Sequence, residues 1–386
     1  MIPIYRDVLT AFTLITVIPA IYLWLSRNMR WKLFEFVPPI IWVLLTPMVL
    51  STLNVIPRES HIYQPFRSVA ASMLIFLMLL DIDIRKALRV TWRAATVFSM
   101  GALGVVVGTA TAFSLLKHLL PVGSCSALSG LAAGWIGGTA HMVAVSAMLS
   151  TPNEQMGMII VADTLVFSIY FPLIIMSKRW AYHFDRFTRA AESRSAPLEP
   201  MQILPPKPAQ IEVGSLLFVV GLSCLATLLA SKLGQSMPDL PPILPHGVWP
   251  ILIVTTFALL LSATPLRLVA GARPFGSALA YMYICTVGAS SDLESLATAP
   301  VFVLAAVICV IIHLAFVVIA ARMFRVDIAT AAVSSVAGVG GIASAPVAAS
   351  HYNHDLVPIA IMLSIIGYAL ATYLGFMTFS LCQLFS

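Results

Sequence analysis

Gly134-Trp135-Ile136-Gly137-Gly138-Thr139-Ala140-His141-Met142-Val143-Ala144 interrupts an apolar stretch in the first half of the chain. Gly338-Val339-Gly340-Gly341-Ile342-Ala343-Ser344-Ala345-Pro346-Val347-Ala348 interrupts a corresponding stretch in the second. A long apolar helix precedes each motif. After each come a serine, a short polar turn with an asparagine (Asn153, Asn353) and a final apolar helix. One Gly-Gly pair would carry little information about architecture. The same ordered context, recurring about 200 residues later, is a repeat signal.

The blocks around these motifs place the chain in a membrane. Of its 386 residues 60% are hydrophobic and 10% are charged, where a soluble domain carries about 25% charged residues. Mean hydropathy is +0.96. Apolar blocks of about 20 residues, the length that crosses a bilayer core, run over 8–25, 36–56, 65–80, 94–116 and 156–176. They resume over 213–230, 243–261, 277–288, 301–323 and 356–385. Two further blocks, 124–150 and 331–350, are rich in Gly, Ala, Ser and Thr and hold the two motifs. This composition excludes a soluble globular fold, a disordered chain and a disulfide scaffold. The net charge of +6 fits basic cytoplasmic loops rather than nucleic acid, because no Lys/Arg stripe alternates with aromatics. Cys125, Cys224, Cys285, Cys309 and Cys382 form no metal spacing and read as small buried hydrophobes. The segment from Met1 to Ser26 lacks a basic leader and a small-x-small cleavage site, so it reads as a first helix that stays.

The charged, Pro-rich piece at 178–211 divides the chain into a first membrane repeat, 1–177, a cytoplasmic linker, 178–211, and a second repeat, 212–386. Loop charges invert between the halves. Arg27, Arg30 and Lys32, and then Arg85, Lys86, Arg89 and Arg93, read as cytoplasmic. Their counterparts carry only Lys232 with Asp239, and Asp292 with Glu294, and read as external. An inverted-topology repeat needs an odd number of crossings per half, yet each half shows an even number of apolar blocks. One block per half must fail to cross. The Gly-rich blocks are the candidates, since irregular backbone survives at membrane depth only when buried in protein or lining a wet cavity. The expected fold is an all-α polytopic membrane protein of two inverted repeats. Each has about five transmembrane helices plus one Gly-rich re-entrant hairpin or broken helix.

Glycine lets backbone approach a solute closely, and a helix N-terminus attracts anions. Gly137, Gly138, Thr139 and His141 on the first motif, and Gly340, Gly341 and Ser344 on the second, are therefore the candidate substrate-binding residues. Asp163 lies inside an apolar helix, where a carboxylate is costly unless it meets a cation or proton. With Thr164 and the mid-helix His313 it makes the candidate ion-coupling set. No H-E-x-x-H, paired in-membrane aspartates, G-x-S-G, P-loop or Rossmann fingerprint is present, so no enzyme, ATP coupling or resident metal is expected.

The chain resembles the bacterial membrane family catalogued as domain of unknown function 819. The resemblance lies in Gly137 through Ala144, in Val161-Ala162-Asp163-Thr164-Leu165-Val166-Phe167-Ser168, in Gly340-Gly341 with Ala345-Pro346, and in Gly367-Tyr368. The layout is similar, more distantly, to the sodium-glutamate symporter, citrate symporter and cation:proton antiporter group, which implies inverted repeats, elevator motion and secondary transport. The expected function is Na⁺- or H⁺-coupled transport of a small organic anion, amino acid or short peptide across a bacterial inner membrane. Na⁺ as coupling ion would be the one bound cofactor. The expected partners are that substrate and the lipid bilayer, with a homodimer as one option for assembly. A gated pore using the same tips, and a non-transporting sensor or scaffold, are the alternatives.

Overall fold

A computed structural model of the chain describes residues 4–29, 34, 38–82, 92–190, 211–238, 249–291 and 293–385. The described residues are helices and short connections. In chain order the α-helices are α1 (Ile4–Asn28), α2 (Pro39–Thr52), α3 (Tyr63–Leu80), α4 (Trp92–Leu116), α5 (Ser124–Gly137), α6 (Thr139–Met148), α7 (Asn153–Met176) and α8 (Ala181–Thr188). The second half adds α9 (Val213–Gln235), α10 (Trp249–Ser262), α11 (Ala272–Ser290), α12 (Ala299–Phe324), α13 (Ile328–Val339), α14 (Gly341–Tyr352) and α15 (Val357–Gln383). Among the described residues, seven helices are long and apolar enough to cross a membrane. Their exposed positions include Leu9, Phe12, Leu165, Ile169, Leu217 and Ile311. Apolar surface on this scale belongs against lipid.

Local chemistry sets the helix limits. Arg325, in the left-handed region at φ 54°, ends α12. Two residues later the Asp327 carboxylate accepts a hydrogen bond from the Thr330 amide at 2.8 Å and caps α13. Proline sits in the first turn of α2, α12 and α15, where its missing N–H costs nothing.

The helices pack as two groups. α1–α3 lie against α9–α11, the opening helices of the two halves. α4–α7 lie against α12–α15, with the α4–α12 pair the most extensive contact in the molecule. Glycine makes that pair close. A Cβ on Gly104 or Gly108 would collide with the α12 backbone or side chains at His313, Phe316 and Cys309. The groups meet where α6 and α7 touch α3 and α11.

Both Gly-rich blocks fold back on themselves. In the first, Gly134 faces Met142 and Gly130 faces Ser146, an antiparallel register centred on Gly138. The Gln155 side chain, just beyond α6, donates to the Val122 carbonyl just before α5 at 2.7 Å. The block therefore begins and ends at one level. In the second, the Ile328 amide donates to Asp185 at 2.8 Å and Lys178 Nζ donates to the His351 carbonyl at 2.6 Å. Asp185 and Lys178 both lie just beyond the C-terminal end of α7, so this block also starts and finishes on one side. Each Gly-rich block is thus a helical hairpin folded back at its glycine tip. The hairpins approach from opposite ends of α7.

The structure adds detail at two places. The stretch read as linker contains α8, whose Asp185 anchors the start of α13. The block read as 277–288 begins at Ala272, which brings Arg273 into the helix. Arg30, Lys32, Arg85, Lys86, Arg89, Arg194, Asp239, Asp292 and the linker prolines lie outside the described residues. The five cysteines are free, and Cys224 alone of them is exposed.

Candidate functional site

The two hairpin tips meet. Gly138 and Gly341 both have positive φ, 82° and 64°. A Cβ placed on Gly341 would stand 3.9 Å from the Gly138 amide nitrogen. Tyr368, on α15, sits against both: its hydroxyl lies 3.1 Å from a Cβ placed on Gly138, and its ring reaches the Gly341 position. A turn at each of these glycines reverses the chain, and the following helices, α6 and α14, start there. Two helix N-termini, each with a positive partial charge, thus face one another inside the bundle.

Beside the first tip lies a cavity of ≈ 190 Å³ lined by Gly138, Thr139, Asp163, Thr164, Phe167 and Gly340, among others, and closed on one side by Pro38 and Ile40 before and within α2. Asp163 stands about midway along α7. Its Oδ1 accepts from the Trp135 indole N–H at 2.7 Å. Trp135 is buried in the last turn of α5. The bond therefore ties the carboxylate to the C-terminal end of the first arm, where peptide carbonyls add negative potential. A carboxylate on the cavity wall suits a cation.

The predicted residues divide into those that line this cavity and those that build it. Gly138, Thr139, Asp163, Thr164 and Gly340 line it. Gly341 completes the second tip. Gly137 is buried behind the first, where a Cβ would strike Ala371 and the His141 ring. His141 is fully buried. Its Nδ1 lies 3.0 Å from the Thr372 hydroxyl, and its ring meets Tyr368 edge-on at 5.2 Å. Its Nε2 has no hydrogen-bond partner among the described residues. Ser344 spends its hydroxyl on the Gly340 carbonyl, and Thr164 donates to the Ile160 carbonyl.

His313 is not among the lining residues. Its Nδ1 lies 2.8 Å from the Gly101 carbonyl, so that nitrogen carries the proton and donates. Nε2 then accepts from the Ser335 hydroxyl at 2.8 Å, and Ser335 accepts from Tyr170 at 2.7 Å. The chain of bonds joins α4, α12, α13 and α7 and leaves neither ring nitrogen free. Sequence reasoning missed Trp135 as the partner of Asp163 and Tyr368 as the wall of both tips. Tyr368 stood only within the family-like Gly367-Tyr368 pair; no pattern linked Trp135 to a residue on the next long helix.

A second cavity, ≈ 340 Å³, lies across the tip. It shares Ile40 and Thr139 with the first and adds Tyr368 and one face of α11 at helical spacing: Arg273, Ser277, Ala280, Tyr281 and Ile284. Arg273 Nε is paired with Asp81 Oδ2 at 2.7 Å. Burial pushes the Asp81 carboxyl above the usual range, and Arg273 and then Arg267 pull it back.

Membrane-length helices enclosing two opposed Gly-tipped hairpins define a polytopic α-helical membrane protein. The chain belongs to the family described as protein of unknown function (DUF819), which matches residues 13–384. It is also similar to the uncharacterized membrane protein YjcL of Bacillus subtilis (strain 168), with 25% identity over 385 residues, covering 96% of this chain and 95% of that protein.

Proposed function

We propose that the protein is an ion-coupled secondary transporter of a small organic anion or zwitterion, working in a bacterial inner membrane. One observation carries the reading: two hairpins approach from opposite ends of α7 and meet tip to tip at the level of Asp163, beside a cavity. That arrangement is what two inverted repeats would produce, and it puts backbone amides and a carboxylate where a solute and a coupling ion can be held together. Both cavities lie between the α1–α3/α9–α11 group and the hairpin group. A rigid-body shift of the hairpin group against the other would move the tips relative to the membrane faces and supply alternating access. Asp163 takes the Na⁺ or H⁺; Trp135 holds it in place.

The test is counter-gradient uptake into proteoliposomes, screened over carboxylates, amino acids and short peptides with imposed Na⁺ or proton gradients. Wild-type protein should accumulate at least one solute only when the gradient is present. Asp163→Asn keeps the shape but cannot ionise, so it should lose accumulation and retain exchange down a gradient. Full accumulation by the variant would remove Asp163 from coupling. A non-saturating conductance would instead make the tips the filter of a pore.

A further inference from the structure

We infer that the second cavity is a binding subsite for a carboxylate group, held by Arg273 on α11 opposite the first hairpin tip. The inference rests on the transporter reading and names the chemistry of its substrate. Three independent features converge on the space.

The first is the guanidinium. Its contact with Asp81 is made through Nε at 2.7 Å and its side chain is 51% exposed; the terminal amino groups of a guanidinium are the part of the fork that can meet a carboxylate with two parallel hydrogen bonds. The second is the start of α6. Thr139 and Ala140, its first residues, line the cavity, and first-turn amides have no partner within their own helix. The third is the set of hydroxyls on Ser277, Tyr281 and Tyr368, which can accept from or donate to further polar groups of a bound solute.

The two cavities beside the first tip differ in the charge they carry. Asp163 lines the first and Arg273 the second, while the start of α6 borders both through Thr139. Thr139 and Ile40 are common to both, so filling one cavity acts directly on a wall of the other. Arg273 belongs to the α1–α3/α9–α11 group while Thr139, Ala140 and Tyr368 belong to the hairpin group, so the subsite is complete only while the two groups stand as they do here.

Binding can be read without transport. Full-length protein in detergent is titrated with sodium glutamate, succinate and citrate, at ionic strength matched with sodium chloride, and thermal unfolding is followed. At least one of the three should raise the Tm of the wild type, because a ligand stabilises in proportion to its occupancy of the native state. Glutamine, which lacks the side-chain carboxylate of glutamate, and succinamide, which is uncharged where succinate carries two carboxylates, should have a smaller effect. Arg273→Gln should weaken the apparent affinity at least about tenfold, as expected for loss of a bidentate charged contact. Arg273→Lys, with charge but no fork, should fall between. Should Arg273→Gln fold poorly because Asp81 is left unpaired, the double variant Asp81→Asn/Arg273→Gln removes both charges and is read in its place.

Equal affinity in wild type and Arg273→Gln, or no response of the wild type to any of the three salts, overturns the assignment. No gradient is involved, so the outcomes separate from the transport reading. Arg273-dependent binding without counter-gradient uptake sinks transport and leaves the subsite standing. Accumulation that ignores Arg273→Gln does the reverse.

Discussion

Gly138 and Gly341 differ in what a side chain would meet, and the difference makes them separable by mutation. Both have positive φ: at Gly341, φ 64°, a Cβ costs about 1–2 kcal/mol, whereas Gly138, at φ 82° and ψ 176°, lies in a region essentially reserved for glycine. At Gly341 a methyl would find ordinary contacts at 3.9 and 4.0 Å; at Gly138 it would press on the Tyr368 hydroxyl at 3.1 Å. Gly341→Ala should therefore lose only the backbone term, read as a modest drop in Tm, and keep uptake. Gly138→Val and Gly341→Val, which add branched bulk at the meeting point of the tips, should each abolish uptake while membrane insertion persists. Unchanged uptake in either valine variant would reduce the glycines to packing residues. The tips were legible in the sequence because glycine is the residue such a turn demands. Asp163 was legible because a lone acid in an apolar helix needs a reason. Arg273 was not, since the apolar run that marks α11 starts at Ser277 and leaves the arginine looking like loop.

Elements are tied to one another by polar contacts placed where apolar pattern has nothing to say. The run from Gly101 through His313 and Ser335 to Tyr170 secures the second hairpin to α4, α12 and α7. All three side chains are buried, so each must find its partner inside. Ser335→Ala removes the middle of the run and strands both His313 Nε2 and the Tyr170 hydroxyl. A loss of about 1–3 kcal/mol is expected, seen as a lower Tm. Uptake per folded molecule, and its dependence on Na⁺ and pH, should not change. A shifted ion dependence in this variant would restore His313 to the coupling machinery, where the sequence alone had placed it. A histidine in mid-helix looks the same whether it shuttles protons or fastens helices; only its neighbours decide, and those lie on helices far away in the chain. Helix existence, by contrast, was written plainly in the apolar blocks. The hairpins came from parity of loop charge, an argument about the whole chain rather than about any block in it.

Side of approach is the property of the whole molecule on which the rest depends. Polar contacts at the helix ends mark two faces. Lys117 donates to the Phe385 carbonyl and Gln155 to Val122, linking the ends of α4, α15, α5 and α7 at one face. Asp81 with Arg273, belonging to the ends of α3 and α11, and Lys178 with His351, belonging to the ends of α7 and α14, mark other helix ends. Since α7 spans from Asn153 to Met176, Gln155 and Lys178 must sit on opposite faces, and the two hairpins with them. The basic residues Lys178, Arg179 and Arg186 beyond α7 are the reason to expect that end on the cytoplasmic side. Single cysteines introduced on a Cys-free background at the exposed positions Glu154 and His351 test the arrangement directly. Glu154→Cys should react with a membrane-impermeant maleimide added to intact cells; His351→Cys should react only after the cells are opened. If the second block crossed the membrane rather than turning back at Gly341, His351 would emerge with Glu154 and label from outside. That single result would dismantle the meeting of the tips, and with it the reason for placing a solute there.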